Sequence, residues 1–237
     1  MTELRPTEPA TSIASHRGDD ALDPGRAMGT MLEAAAAVIP HLNHLGTMVH
    51  HTPARVTCAF SDPFAAQMQA LHLELEEGPG FEAVTTGLPV ISDDIENDFR
   101  WPAYARAAAA RGLYCQLSLP LLWEDRALGA LSLFWTEPHL LDAATLTLAQ
   151  GFAAQTAALV GLSREREHLT YALKSRQTIG NAVGVLMERH HLEAAAAFSV
   201  LQRISQDSNT KLRDVAEQFL RTGQLPNPTP SRRSAVR

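Results

Sequence analysis

Apolar residues are densest in the middle of the chain, where residues 126–135 (RALGALSLFW) are almost continuously hydrophobic. Such a run is typical of a central β-strand that is buried on both faces. A second apolar run at 117–122 precedes it, and residues 123–126 between the two predict a hairpin turn. Shorter strands are predicted at 56–60 and 89–92. The first half of the chain therefore predicts an antiparallel sheet.

Helices are predicted beside these strands, at residues 28–38, 64–71 and 102–111. Pro102 suits the first turn of the last helix, where an N–H would have no partner, and Gly112 suits its end. Prolines and glycines recur between the short apolar runs, as they do between the elements of mixed folds. This half of the sequence therefore predicts an α+β domain in which helices flank the sheet.

The second half has the pattern of long helices, since no proline occurs between Pro138 and Pro226. From residue 148 to residue 187, positions spaced alternately by four and three are mostly large and apolar, which predicts one helix with a heptad-like seam. We expect this seam to join two copies of the chain as a homodimer; the alternative is a helix that packs only on its own domain. The predicted dimerisation residues are Phe152, Leu159, Leu162, Leu169 and Leu173.

Two further helices are predicted at 192–205 and 211–220. Asn209 or Thr210 is expected to cap the second of them. With the long helix, they predict an all-α three-helix bundle. We expect disordered tails at 1–27 and 223–237, an α+β domain at 28–160 and the helical domain at 161–222.

Gly180 and Gly184 form a GxxxG pattern inside the long helix. In membranes this pattern joins helices, but the charged residues Arg176, Glu188 and Arg189 lie close by. We therefore expect a neighbouring helix to approach closely here, outside a membrane.

The formal net charge is −6, and the charged residues are distributed unevenly along the chain. Up to Leu162 the chain has 8 Arg and Lys against 19 Asp and Glu, which gives −11, whereas the remainder has 12 against 7, which gives +5. This asymmetry favours an acidic regulatory part and a part that binds a polyanion. The alternative is that these charges are ordinary solvated faces of helices.

The sequence lacks the common motifs of catalytic sites, since it contains no GxSxG, HExxH, GxxxxGK or GxGxxG. A phosphate-accepting receiver domain needs a lysine, and residues 1–162 contain none. Cys58 and Cys115 form no CxxC pair, so we expect no disulfide framework, metal site or cofactor. His50 and His51 are expected in a loop and not as ligands. We predict that the protein is not an enzyme.

The first residues, MTELRPTEPATS, lack the basic patch and apolar stretch of a secretory signal. Residues 143–163 carry no charge, but threonines and glutamines interrupt them, so we expect no membrane helix. A cytoplasmic location is the expectation.

Residues 76–135 resemble the GAF sensor domains of actinobacterial regulators, and residues 28–160 resemble them more loosely. The shared order is a Gly-Pro turn, an acidic stretch ending in Arg-Trp-Pro, an apolar strand and a final Gly-Ala-Leu strand. The resemblance implies a sheet with helices over it that encloses a small-molecule pocket, without identifying the ligand. Many relatives have a cysteine after the Gly-Pro pair, where this chain has Gly80, so thiol chemistry is not expected there.

Residues 169–219 closely resemble the ANTAR domain, a three-helix module that binds RNA in transcription antitermination. The shared pattern is AL-SR-IG-A-G-LM in the first helix, AF-L in the second and S-N-KLRDVA leading into the third. The resemblance implies binding of paired hairpins with six-base loops in nascent leader mRNA, so that a competing terminator cannot form. The residues that fall at motif positions are Arg176, Ala182, Gly184, Ser205, Asn209, Lys211 and Arg213.

The side chains of this segment suit RNA, whose hairpin loops are recognised through phosphates and unstacked bases. Lys174 adds a further cation to the RNA-binding candidates, and Tyr171 could either stack on a base or pack inside the domain. Many ANTAR domains have a lysine before the second glycine, where this chain has Val183, and this departure removes one candidate phosphate contact.

The leading hypothesis is a signal-responsive RNA-binding antiterminator that a GAF-like sensor controls. One alternative is a DNA-binding transcription regulator, because residues 192–220 could form a helix-turn-helix. Another is a dimeric scaffold that binds other proteins. Labelled RNA hairpins and duplex DNA would separate these classes.

Overall fold

The computed structural model of the protein describes residues 24–52 and 55–225. The chain divides into two compact units, Met1–Val160 and Gly161–Arg237, which we call the first unit and the helical unit. Within the residues described, no helix combines the length and the apolar character that a membrane crossing requires.

The first unit is built on a five-stranded antiparallel sheet with the strand order β2-β1-β5-β4-β3. The strands are β1 (His44–Thr52), β2 (Arg55–Phe60), β3 (Val90–Ser92), β4 (Cys115–Trp123) and β5 (Arg126–Trp135). Strand β5 is central, and it pairs with β1 on one side and with β4 on the other. The antiparallel sheet predicted from the sequence is confirmed.

Strands β4 and β5 are joined by a two-residue turn at Glu124 and Asp125. Both residues are left-handed, with φ of 48° and 62°. This conformation matches the twist of the flanking strands, which is why it is common in tight hairpins. The hairpin predicted at 123–126 is therefore present.

Helices cover both faces of the sheet. They are α1 (Pro24–Val38), α2 (Pro63–Leu75), α3 (Pro79–Thr86), α4 (Pro102–Ala109) and the beginning of α5 (Ala143–His190). Because side chains alternate along a strand, Leu131, Leu133 and Trp135 of β5 pack with α1 and α5 in one core. Phe134 packs with α2, α3 and α4 in the other core. The expected α+β architecture is confirmed.

The helical unit contains the end of α5 together with α6 (Ala194–Asp207) and α7 (Leu212–Thr222). All three helices contribute to one small apolar core. Its buried residues are Ala182, Leu186, Ala197, Leu201, Val215, Ala216 and Phe219. The predicted long helix and the two helices after it are present.

Strand β1 contradicts one prediction from the sequence. His50 and His51 lie in this strand and not in a loop. The apolar pattern is weak there because Gly46, Thr47 and the histidines interrupt it, although Leu45 and its neighbours are buried. Pairing with β2 and β5 on its two sides satisfies the backbone of β1 and makes it a strand despite that pattern.

Two further details near helix starts differ from the sequence interpretation. Helix α3 begins directly after Gly78, where only a turn was expected, with Pro79 in its first turn. The N-cap of α7 is Lys211, whose side chain makes no capping hydrogen bond. The expected cap by Asn209 or Thr210 is therefore wrong.

Helix α1 begins at Pro24, four residues inside the tail that was expected to be disordered. The rest of that tail, 1–23, and residues 226–237 of the other tail lie outside the described residues.

Candidate functional site

Three of the expected RNA-binding residues lie where α6 leads into α7, and Ser205 is in the last turn of α6. Ser205 Oγ donates a hydrogen bond to the Thr210 carbonyl at 2.6 Å, and the Thr210 N–H donates to the Ser205 carbonyl at 3.1 Å. Asn209 is left-handed, with φ of 50°, a conformation that Asn tolerates better than most residues. Asn209 and Lys211 are both exposed. Ser205 thus positions the turn, and the other two present their polar groups to solvent.

Lys211 stands at the N-terminus of α7, where its carbonyl accepts from the Asp214 N–H at 2.8 Å. The helix dipole favours anions at this end, so a lysine gains no stability from it. The stability of α7 therefore does not explain the presence of this cation, whose side chain is exposed to solvent.

Arg213 joins α7 to α5 through an aromatic ring. Its guanidinium lies over the ring of Tyr171, 4.7 Å from the ring centroid, and 3.6 Å from a carboxylate oxygen of Glu217 one turn further along α7. Arg213 is therefore partly engaged inside the protein, unlike Lys211.

The expected residues of α5 occupy different environments. Lys174, Arg176 and Gly184 are exposed. Ala182 is fully buried in the core of the helical unit, so it packs helices together and offers no surface to RNA. Val183 packs partly against the same core.

Gly180 and Gly184 do not contact another helix of the described chain. A Cβ atom built on either glycine would meet nothing within 4 Å outside the surrounding turns of α5. The close approach of a neighbouring helix that the sequence predicts is therefore not made within the residues described. Both glycines line a shallow groove on α5, whose other lining residues are Asn181, Val185, Glu188 and Arg189.

The predicted dimerisation residues fall into two groups. Leu162 is 57% exposed, and Leu169 and Leu173 are each 67% exposed. Phe152 and Leu159 are partly buried against the core of the first unit. Three leucines of the seam are thus free for a partner, and the other two residues are partly occupied.

The first unit contains a buried cluster of polar side chains between the sheet and α2, α3 and α4. We call it the interior polar cluster, and its members are His72, Tyr104, Gln116, Ser118 and Ser132. Tyr104 donates to Gln116 Oε1 at 2.7 Å, and Gln116 Nε2 donates to Ser118 Oγ at 2.9 Å. Ser118 and Ser132 share a further hydrogen bond of 2.9 Å. No sequence motif pointed to this cluster, because its residues are far apart in the chain.

Two glycines allow the cluster to pack tightly. Gly78 has φ of +109°, and a Cβ atom there would lie 2.8 Å from the His72 ring and 2.9 Å from the Tyr104 ring. The Gly80 N–H donates to His72 Nε2 at 3.3 Å, and a Cβ atom at Gly80 would lie 3.3 Å from Ser132 Oγ. At the position where many GAF domains have a cysteine, this chain therefore has His72 and Ser132 close to the backbone.

Burial keeps the titratable side chains His72, Cys58 and Cys115 of the first unit in their neutral forms. Burial lowers the pKa of His72 to about 3, against a smaller opposing effect of the Met68 carbonyl. Its ring is therefore uncharged at neutral pH, stacked on Tyr104 at a centroid distance of 4.3 Å. Burial also raises the pKa of Cys58 and of Cys115 to about 11, so neither thiol is an activated nucleophile.

Among residues 24–52 and 55–225, no three His, Cys, Asp or Glu side chains are arranged to hold a metal ion.

The protein thus combines an α+β unit that has a polar interior with a three-helix unit whose α6–α7 turn exposes Asn209 and Lys211. The family model described as GAF domain matches residues 21–160, and the model described as ANTAR domain matches residues 167–220. The chain belongs to the GAF family and carries an ANTAR domain after its GAF domain.

Solved structures similar to this chain include GAF domains with little sequence identity. One, from a phosphoenolpyruvate-protein phosphotransferase of Coxiella burnetii, is 14% identical with a TM-score of 0.52, over 61% of this chain and 86% of that one. It supports the fold of the first unit. The GAF domain of an Acinetobacter phosphoenolpyruvate-protein phosphotransferase is 12% identical, with a TM-score of 0.48 over the same shares. None of the curated proteins compared matches this chain.

These matches give the general kind of protein. A GAF domain is a sensor domain, and an ANTAR domain is an RNA-binding antitermination domain. Domains of both kinds are typically not catalytic.

Proposed function

We propose that this protein is a transcription antiterminator that binds hairpin loops in nascent leader RNA and is controlled by its GAF domain. The observation that carries the proposal is the ANTAR match at 167–220, in the part of the chain after Leu162, which has a formal charge of +5. Within that match, Lys174, Arg176, Asn209 and Lys211 are exposed.

The exposed groups are those that a hairpin loop requires. Lysine and arginine neutralise phosphates and release counterions, which gives affinity for any nucleic acid. An amide such as that of Asn209 can both donate to and accept from the edge of an unpaired base, which adds selectivity for single-stranded loops. The support for RNA over duplex DNA is thus the combination of charge with a polar turn.

Dimerisation is part of the proposal, because Leu162, Leu169 and Leu173 leave an exposed apolar seam on α5. Two copies joined by this seam would hold two hairpins at once. The second contact would then be intramolecular, with a high effective concentration. A small change in dimerisation would become a large change in RNA affinity.

Control by the GAF domain would use α5, since this helix begins in the first unit and ends in the helical unit. A ligand can shift the protein only if it binds one arrangement more tightly than another. We propose that a small molecule bound by the GAF domain supplies this difference in affinity.

The test is a binding experiment with the full chain. Labelled RNA containing two hairpins with six-base loops and duplex DNA of equal length are offered separately at matched salt. We expect tighter binding of the RNA, and loss of this preference when both loops are closed into continuous duplex. Equal affinity for RNA and DNA would contradict the proposal, and a preference for DNA would favour the helix-turn-helix alternative.

A transcription assay tests the antitermination step. A template with paired hairpins ahead of a terminator should give more full-length transcript when the protein is added. A template whose loops are changed to an unrelated sequence is the control, and an equal effect on both templates would contradict hairpin recognition.

A further inference from the structure

Tyr171 is an aromatic side chain on α5 that the core of the helical unit does not use. Its side chain is 48% exposed, whereas Phe219 in the core of the same unit is 2% exposed. The sequence left open whether Tyr171 packs inside the domain or stacks on a base, and its half-exposed ring favours the second.

The ring of Tyr171 is in contact with one cation of the helical unit, the guanidinium of Arg213. The Arg213 guanidinium lies 4.7 Å from the ring centroid, and Glu217 holds the same guanidinium through a contact of 3.6 Å. Since α7 provides both Arg213 and Glu217, that helix fixes the arginine over a ring of α5. The ring is thus positioned in advance of any ligand.

Two exposed lysines lie near the ring in the helical unit, in addition to the Arg213–Glu217 pair. Lys174 lies three residues after Tyr171, so the two side chains are neighbours on α5. Lys211 precedes Arg213 by two residues at the start of α7, and both lysines are exposed. A negatively charged chain that passes these lysines would bring its bases near the ring.

An aromatic ring with a guanidinium on one face is a platform for a nucleic-acid base. Bases of single strands stack on tyrosine rings and on guanidinium planes, and arginine adds a cation–π contribution. Bases inside a duplex are already stacked on each other and cannot use such a platform without leaving the helix.

We propose that Tyr171, backed by Arg213, stacks on one unpaired base of a hairpin loop. This inference rests on the proposed function, and it adds a specific contact to it. Arg213 is then a positioning residue as well as a cation, which accounts for its partial engagement inside the protein.

The experiment measures the affinity of the full chain for hairpin RNA in which each loop nucleotide in turn is replaced by an abasic one. With the wild-type protein, one loop position should lose affinity by about tenfold, the usual effect of one stacked base. Tyr171→Leu should bind the intact loop about tenfold more weakly. The abasic change at that same position should then cost the variant almost nothing, because the two partners of one contact are not additive.

Three variants separate stacking from other effects. Tyr171→Phe keeps the ring and should bind as the wild type does. Arg213→Lys keeps the charge without the planar group, and it should weaken the effect of the same loop position. Phe99→Leu is the control, since Phe99 is an aromatic residue of the first unit that is 90% exposed; it should leave the affinity unchanged.

A fluorescent base at the sensitive loop position gives a direct measure. 2-Aminopurine there should be quenched on binding of the wild type and much less on binding of Tyr171→Leu. Normal RNA affinity of Tyr171→Leu, or additive losses at every loop position, would overturn the stacking contact while leaving the proposed function intact. Unchanged RNA affinity with a weakened dimer would assign the ring to a protein contact and also overturn it. If the wild type bound no hairpin RNA, the proposed function would fail together with the inference.

Discussion

The two units of the chain use polar side chains in opposite ways. In the first unit, the interior polar cluster is buried, and its members bond to one another. In the helical unit, Lys174, Arg176, Asn209 and Lys211 are exposed. Buried polar groups must find partners inside the protein, whereas exposed ones exchange water for a ligand at little cost. Polar residues therefore fix the structure of the first unit and form the proposed RNA-binding surface of the helical unit.

The largest expected effect comes from breaking the buried hydrogen bonds. Gln116→Leu removes the amide that bonds Tyr104 and Ser118, and it leaves their buried hydroxyl groups without that partner. We expect the free energy of unfolding of the first unit to fall by about 3 kcal/mol, since each unsatisfied buried group costs about 1–3 kcal/mol. Urea denaturation monitored by tryptophan fluorescence measures this unit selectively, because Trp101, Trp123 and Trp135 all lie in it.

Gln67→Leu is the matched control for that change, because Gln67 is an exposed glutamine of α2 in the same unit. It should alter stability by no more than about 0.5 kcal/mol. Equal losses in the two variants would show that burial of the amide is not what matters.

A similarly large effect is expected from the exposed apolar residues. Leu169→Asp combined with Leu173→Asp places charges in the seam of α5. We expect monomers in sedimentation and a loss of affinity for paired hairpins of about a hundredfold, because the second hairpin contact is no longer intramolecular. Leu140→Asp is the control, since Leu140 is 87% exposed in the first unit and lies outside the seam. A double variant that remains dimeric would refute the seam.

A smaller effect follows from the neutral state of His72. Below the usual pKa of 6.5 the unfolded chain binds a proton at this residue that the folded unit binds only near pH 3. Stability is therefore lost as the pH falls, by about 1.4 kcal/mol between pH 7.5 and pH 5.5. Denaturation of the wild type and of His72→Gln at both pH values isolates this contribution. Parallel losses in the two proteins would assign it to other residues.

The smallest effect concerns a single surface charge. Lys211→Ala should weaken RNA binding by about 1 kcal/mol and reduce the dependence of affinity on salt by about one charge, if this lysine meets a phosphate. Filter binding across a salt series measures both. Arg126→Ala removes an exposed charge from the first unit and should change neither quantity. Identical salt slopes for Lys211→Ala and the wild type would place the phosphate contact elsewhere.

The sequence predicted correctly those secondary-structure elements that depend only on residues adjacent in the chain. The run in β5 and the turn before it were predicted because both depend on neighbouring residues. Strand β1 was missed, since pairing with β2 and β5 compensates for its mixed composition. The order of strands in the sheet likewise depends on contacts between distant segments.

Contacts between distant residues explain what the sequence could not predict of the sites. The exposed residues of the helical unit follow from a motif, and their spacing is visible in the chain. The interior polar cluster brings His72 together with Gln116, and the stacked pair brings Tyr171 together with Arg213. Neither pair has a local pattern, so only the folded chain identifies them.

The central place of β5 also constrains when the protein can fold during synthesis. Its pairing joins Leu133 to Leu45, so the ribosome must release most of the first unit before the sheet can close. Until then β1 and β4 have unpaired edges, which are prone to aggregation. Distant strand pairing folds more slowly than local helix packing, so we expect α6 and α7 to form quickly once they emerge. We therefore expect a nascent chain that is stalled before β5 to aggregate more readily, and to depend more on chaperones, than one stalled after β5.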